Sequence, residues 1–315
     1  MSSFIVNRNE NFETELVMLA GIPGCGKSTY ANKMRENGYA VFSSDALRKE
    51  LYGDEKIQGN PSDIFRKLTE RSKEALKSGQ SCVVDATNLS RKRRRNFLMN
   101  FKRIRCFKRC VLFVVPVEEC LKRNRQRGRN VDEEVIPKMI KSFQCPYPYE
   151  GWDRIDIQHE EAWDYEYPFE VIEDFPQDNI HHTLTLGGHI KKAEEYCREH
   201  GFSQPVQLAA RYHDCGKLYT KTFFNMKGQK CENAHYYDHE NYSTYLFLNE
   251  MFSSSKYKNY TIEEILYVAN LINWHMEPLK KWNQSTKSKQ NDRMMLGEEM
   301  YQDIMRLHEA DRAAH

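Results

Sequence analysis

No apolar run in the sequence approaches the ~20 residues that a membrane-spanning helix needs, which excludes a helical membrane protein. The opening residues, MSSFIVNRNENFETE, lack the apolar core of a secretory signal, and none of the nine cysteines forms a CxxC pair. The first absence argues against export and the second against a zinc ribbon. Together they lead to an expectation of reduced thiols and a cytoplasmic setting, with no membrane partner. Internal repeats and low-complexity segments are also missing. One further absence is local. Between Asp85 and Glu118 there is no acidic residue, while Arg91, Lys92, Arg93, Arg94, Arg95, Lys102, Arg103, Arg105, Lys108 and Arg109 all fall there. Such a run is either a solvated helix face or a patch that faces nucleic acid.

What is present is a chain of 315 residues, 40% hydrophobic and 29% charged, with a net charge of only +2. That length accommodates two domains with sizeable cores, and that composition is globular. Glu15 to Ala20 reads as a buried strand that runs into a glycine-rich turn, with a helix from Thr29 onward. Tyr39 to Phe42, Ser81 to Val84 and Val111 to Val115 read as further short strands, and Asp63 to Ser78 as a helix closed by Gly79. Strands alternating with helices indicate a parallel sheet covered by helices on both faces. From Glu150 to Asp178 the chain turns acidic and aromatic. This stretch reads as a partly packed connector, because Trp152, Trp163 and Phe169 suit a floppy linker poorly. Beyond Asn179 strand-like runs vanish and helical patterns take over in Ile190 to His200, Val206 to His213, Ile262 to Trp274 and Glu298 to Ala314. The expected layout is an α/β domain over residues 1–150, a connector over 151–179 and an all-α domain over 180–315.

The run GIPGCGKS, Gly21 to Ser28, lies between an expected strand and an expected helix, the context that gives a short GxxxxGKS pattern its meaning. The glycines, Gly21, Gly24 and Gly26, let backbone N–H groups, with those of Cys25 and Thr29, converge on phosphates at a helix N-terminus. Lys27 can neutralise the β- and γ-phosphates of ATP or another nucleoside triphosphate, and the Ser28 hydroxyl can ligate Mg2+. Asp45 follows the second strand, where the carboxyl ends of an open sheet form a crevice, and can accept the proton of an attacking hydroxyl. It can equally cap the helix that follows. Arg48 lies one turn on and can grip an acceptor phosphate. Asp85, Thr87 and Asn88 follow the third strand into the same crevice. Arg123 and Arg127, four apart on one helical face, can close over a transferring phosphoryl group.

GIPGCGKST, SSDALR, VVDATN and KRNRQRG, in this order and spacing, resemble the kinase module of phage-type polynucleotide 5′-kinases over roughly residues 14–150. The resemblance implies Lys27 and Ser28 at the phosphates and metal, and Asp45 as general base toward a 5′-hydroxyl. It implies Arg48 on the acceptor's 3′-phosphate side, Asp85 near the acceptor or metal, and Arg123 and Arg127 as lid arginines.

The second half holds histidines and aspartates of a different kind. His189 lies in HHTLTLGGHI, His213 and Asp214 in AARYHDCGK, His239 in YYDHENYS, His275 in LINWHMEP and Asp311 in LHEADRAAH. Imidazoles and carboxylates suit divalent transition metals, and a two-metal site clamps the attacking and leaving oxygens of a phosphate ester. Over residues 180–315 the pattern resembles the HD-domain metal phosphohydrolases. That resemblance implies His189, His213, Asp214 and Asp311 in one metal site, and His239 and His275 completing a second. It places Lys217 near the scissile phosphate. His182 sits in the same segment as His189 and is the other candidate for first ligand. One or two ions are expected, with Mn, Ni, Co, Fe and Zn all open.

The two resemblances together imply a bifunctional end-healing enzyme. It would phosphorylate 5′-hydroxyl ends of RNA or DNA, RNA being preferred, and would clear 2′, 3′ or 2′,3′-cyclic phosphates. An RNA ligase is the partner such healed ends call for. Two rivals stay open: a small-molecule nucleoside or nucleotide kinase fused to a nucleotidase, and a kinase with a regulatory HD module.

Overall fold

The computed structural model describes residues 2–6, 11–126, 131–159, 167–180, 183–253 and 258–315. Arg127, His182 and Trp163 lie outside them. The chain divides into two compact units, one of residues 1–139 and 146–160, the other of residues 140–145 and 161–315.

The first unit is an α/β P-loop fold. In chain order its elements are β1 (Ser2–Ile5), β2 (Glu15–Ala20), α1 (Lys27–Glu36), β3 (Ala40–Ser43), α2 (Ser44–Tyr52), α3 (Pro61–Lys77), β4 (Cys82–Asp85), α4 (Arg91–Met99), β5 (Phe107–Phe113), α5 (Val117–Gln126), α6 (Val135–Ile140) and β6 (Arg154–Gln158). The strands lie in the order β1-β6-β5-β2-β4-β3. β2 is central, and Leu16 to Ala20 are at most 1% exposed, as a strand covered on both faces requires. Its parallel neighbours are β4 on one side and β5 on the other, so the chain reverses its winding beside β2. Ligands of open α/β sheets bind at that reversal, past the carboxyl ends of the strands. The register sets Asp85 level with both Leu19 and Ser43, so the segments leaving β2, β3 and β4 start at one height.

The sheet departs from the expected one at its far edge. β6 falls inside the stretch expected to be a connector and pairs with β5 in parallel, while β1 pairs with β6 antiparallel. The sheet is therefore mixed. RIDIQ carries charged residues at alternate positions and escapes a search for apolar runs, yet Ile155 and Ile157 are fully buried. Asp156 is buried too and pairs with Arg109, which also pairs with Glu15.

The second unit contains α7 (Phe169–Glu173), α8 (Leu186–Glu199), α9 (Gln204–Tyr212), α10 (Lys217–Thr220), β7 (Lys221–Phe224), β8 (Lys230–Tyr236), α11 (His239–Ser253), α12 (Ile262–Trp274), α13 (Thr286–Leu296) and α14 (Glu298–Ala313). It is helical but not all-α. β7 and β8 form an antiparallel hairpin closed by a turn at Asn225, whose side chain accepts from Lys227 and Gln229. Its short strands carry lysines among the aromatics and lack a long β-branched run. The four expected helices are present, and α12 starts at a capping box in which Thr261 and Glu264 satisfy one another's backbone N–H groups. None of the described helices is long and apolar enough to cross a membrane.

Candidate functional site

The turn after β2 is shaped by glycine. Gly24 has φ +87°, and a Cβ there would lie 2.4 Å from the Cys120 carbonyl oxygen. Gly26 stands before α1 at φ +97°, in the left-handed region that L side chains rarely adopt. Gly21 N–H donates to the Thr87 carbonyl at 3.0 Å, tying the loop to the segment after β4. The Lys27 ammonium is folded back onto the loop, donating to the Ile22 carbonyl at 2.8 Å and lying 3.5 Å from Cys25 Sγ. The Ser28 hydroxyl donates to Asp85 Oδ2 at 3.0 Å, while Thr29 is exposed. A hydroxyl and a carboxylate side by side at a phosphate loop are the oxygen donors Mg2+ takes, so these residues fit that ion.

Asp45 lies in the first turn of α2, with Arg48 Nη1 donating to its Oδ1 at 2.7 Å. The helix cap is Ser43, whose hydroxyl accepts from the Asp45 and Ala46 N–H groups, so the capping alternative for Asp45 is set aside. Asn88 adopts φ +46°, and its side chain donates to the Leu19 carbonyl at 2.7 Å. Arg123 does not stand alone on α5: its Nε donates to Glu119 at 2.7 Å on the same helix.

The basic run resolves into residues of unlike roles. Arg94 is 1% exposed and donates to both Glu150 carboxylate oxygens and to the carbonyls of Asn88 and Leu89. Arg91 is buried and stacks 5.8 Å over Tyr149. Neither Arg94 nor Arg91 is available to nucleic acid. The signal was in the sequence: 91, 94 and 97 share a helical face, and Phe97 belongs to the core. Arg94 braces the segment that carries Asp85, Thr87 and Asn88. Arg94→Ala leaves the Glu150 carboxylate buried without its partner, which costs about 3–5 kcal/mol. A denaturation midpoint equal to that of the unaltered chain would contradict the brace.

In the second unit His189, His213, Asp214 and Asp311 converge, as do Asp214, His239 and His275, each set holding ligand atoms within 4.8 Å of one another. His189 Nε2 lies 3.2 Å from Asp214 Oδ2, 3.1 Å from Asp311 Oδ1 and 3.3 Å from His213 Nε2. His239 Nε2 lies 3.0 Å from Asp214 Oδ1 and 3.2 Å from His275 Nε2. Asp214 thus gives one oxygen to each set.

The outer ring nitrogens explain the arrangement. Nδ1 of His213, His239 and His275 each donate at 2.7 Å to a backbone carbonyl, of Ala210, Tyr236 and Ile272, and Nδ1 of His189 to Ala314 at 3.4 Å. A carbonyl only accepts, so these bonds fix the tautomer and turn every Nε2 lone pair inward. Two facing pairs of Nε2 at 3.2–3.3 Å need a cation between them, a proton or a metal ion. Burial pulls His189 toward the neutral form, but bonds from Asp214 and Asp311 hold its pKa up at about 9. Burial keeps His275 below its usual value. Burial opposes ionisation of Asp214, yet Lys217, His213, His189 and His239 hold it well below the usual carboxylate range. Imidazoles that give up the Nε2 proton to an incoming ion, facing ionised carboxylates, are the donor set that divalent transition metals take, and the residues fit such an ion.

Lys217 donates to Asp214 Oδ2 at 2.6 Å and to Gln177 Oε1 at 2.9 Å, with its ammonium 5.4 Å from the Tyr236 ring centroid. Gln177 and Tyr236 are contacts the sequence did not reveal, since Gln177 comes from a segment with no motif and Tyr236 stands in YYDHENYS without a ligand's chemistry. Gly216 has an equally close neighbour, because a Cβ there would meet the His239 carbonyl oxygen at 2.3 Å.

Residues 16–146 match the family model described as "AAA domain". An L-seryl-tRNA(Sec) kinase of Methanococcus maripaludis is 30% identical over 154 residues, 45% of this chain and 57% of that protein. The heterogeneous nuclear ribonucleoprotein U-like protein 2 of Mus musculus is 26% identical over 48% of this chain and 23% of its own. The chain therefore spans little more than half of the first relative and under a quarter of the second. A chain of the Pnkp1/Rnl/Hen1 RNA repair complex is 24% identical over 42% of this chain and 44% of its own, with a TM-score of 0.37.

Proposed function

We propose that the chain is a bifunctional nucleic-acid end-healing enzyme. Its first unit transfers a phosphoryl group from ATP to a 5′-hydroxyl end, and its second removes a 2′, 3′ or 2′,3′-cyclic phosphate. The observation that supports the reading is that a phosphate loop with its crevice residues and a buried cluster of histidines and aspartates lie in separate units and share no residue. The AAA-domain match covers the P-loop and the three segments after it. The relative named a seryl-tRNA kinase supports an acceptor hydroxyl carried on RNA.

In phosphoryl transfer Lys27 leaves the Ile22 carbonyl to neutralise the β- and γ-phosphates. Ser28 and Asp85 would hold Mg2+, which would offset charge on the phosphates. Asp45 accepts the proton of the 5′-hydroxyl, and Arg48, already hydrogen-bonded to it, keeps the carboxylate oriented and faces the acceptor phosphate. Arg123 and Arg127 serve as the lid. In hydrolysis His189, His213, Asp214 and Asp311 would hold one ion, and Asp214, His239 and His275 a second. A bound divalent metal supplies activated water and charge neutralisation there. The backbone carbonyls at Nδ1 keep the four imidazoles oriented, and Lys217 provides positive charge for the ester phosphate.

The test is ATP-dependent labelling of 5′-hydroxyl RNA, 5′-hydroxyl DNA and nucleosides side by side. Labelled polynucleotide is the expected product. Label found on nucleosides alone would give the reading over to a small-molecule kinase.

A further inference from the structure

Between α3 and α4 runs an open groove of about 600 Å³, and no motif of the first unit accounts for it. Phe65, Arg66 and Lys73 line it from α3, and Arg93, Asn96 and Phe97 from α4. The charge is lopsided: three cations face the single carboxylate of Glu70, which is paired with Arg66. Arg93 and Lys73 form no ion pair among the described residues. Instead the Arg93 guanidinium lies 5.9 Å from the Phe65 ring centroid, and the Lys73 ammonium 6.0 Å from that of Phe101. The half-buried Phe65 beside an exposed Arg93 makes an aromatic and cationic surface on the groove wall.

Both walls lead from the acceptor residues. α4 begins at Arg91, three residues after Asn88, so its first turns continue directly from the Asp85–Asn88 segment. α3 is joined to α2, which carries Asp45 and Arg48, by the Arg71–Glu50 ion pair at 2.5 Å. The walls of the groove are thus tied, one along the chain and one through an ion pair, to the segments that carry the acceptor residues.

We infer that the α3–α4 groove binds the nucleotides that follow the 5′-terminal one on a single-stranded acceptor, with Arg93 and Lys73 on phosphates and Phe65 against a base. The inference rests on the 5′-kinase reading for the placement of the strand. Single strands are held by this combination of cations that track the backbone and aromatics that stack bases without regard to sequence. The basic run thus divides by helix face, Arg91 and Arg94 inward as braces and Arg93 outward into the groove.

Kinetics with a 5′-hydroxyl decamer and with a nucleoside 3′-phosphate test it, using Arg93→Gln combined with Lys73→Gln, Phe65→Leu alone and Arg93→Lys. The double variant is expected to raise KM for the decamer about tenfold and leave the nucleoside 3′-phosphate unchanged. Its binding should lose about 1.4 from the slope of log affinity against log salt, two phosphate contacts at about 0.7 each on a single strand. Phe65→Leu should weaken the decamer by about tenfold with the salt slope retained, as loss of stacking does. Arg93→Lys should retain most of the decamer's affinity. Equal losses on both acceptors, or no loss on either, would overturn the groove assignment. Direct binding of a fluorescent decamer separates this from the kinase reading. Arg93-dependent binding without phosphorylation removes the kinase reading and keeps the groove, whereas phosphorylation indifferent to Arg93, Lys73 and Phe65 does the reverse.

Discussion

Replacing Asp214 by alanine is expected to abolish metal-dependent phosphate release and to leave phosphoryl transfer intact. Among the described residues Asp214 is the one carboxylate that belongs to both candidate ligand sets, with Oδ2 toward His189 and Oδ1 toward His239. Its loss removes an anionic oxygen from each, and water replaces a carboxylate between two ions poorly. Metal content should fall to one ion or none per chain by elemental analysis, and ester hydrolysis should drop below detection. Alanine also strips the buried Lys217 of its ion pair, which by itself costs stability. Asp214→Asn keeps a hydrogen-bonding oxygen for Lys217 while removing the charge, and should lose the metal in a chain that remains folded. Metal retained at the unaltered level in Asp214→Asn would contradict the ligand assignment. A chain lacking residues 309–315 applies the same test at the other end of the cluster, because it removes Asp311 and the Ala314 carbonyl that accepts from His189. It too should lose metal and keep the kinase.

Lys27→Ala should have the converse effect, lowering 5′-hydroxyl phosphorylation by about two to three orders of magnitude, as loss of one preorganised charge-stabilising group does. Lys27 is 8% exposed and its ammonium already lies inside the loop, donating to the Ile22 carbonyl. Ester hydrolysis and metal content should be unchanged. Asp45→Ala separates chemistry from binding: turnover falls while ATP affinity stays nearly constant, because Asp45 follows β3 and not the phosphate loop. Unchanged turnover in Asp45→Ala would remove it as general base. A Lys27→Ala chain that still phosphorylates at the unaltered rate would place transfer elsewhere.

The parts legible in the sequence were those in which local pattern and chemistry agree. β2, the glycine turn and α1 form one contiguous signal, and the structure reproduces β2 to the residue. The candidate metal-binding histidines stood out because His189, His213 and His275 each lie at the start or end of an expected helix, and the structure brings His189, His213, Asp214, His239, His275 and Asp311 together. Illegible were features that depend on pairing across long separations. β1 and β6 pair residues 149 to 155 apart in sequence, and neither has the apolar run of an inner strand. Ser43 displaced Asp45 as helix cap because both residue types cap well, and only backbone geometry at Ser43 decides between them. Arg94 looked like its neighbours in composition, and its role emerges only once Glu150 arrives from 56 residues away.

The proposed enzyme carries two phosphate chemistries in one chain, both directed at the ends of a polynucleotide. The direct measurement is to incubate RNA bearing a 5′-hydroxyl and a 3′-phosphate with ATP, Mg2+ and Mn2+, and to read both ends by mass spectrometry. The unaltered chain is predicted to give 5′-phosphate, 3′-hydroxyl RNA, Lys27→Ala to alter the 3′ end alone, and Asp214→Asn the 5′ end alone. RNA recovered with both ends unchanged, under conditions in which the chain phosphorylates a free nucleoside, would contradict it.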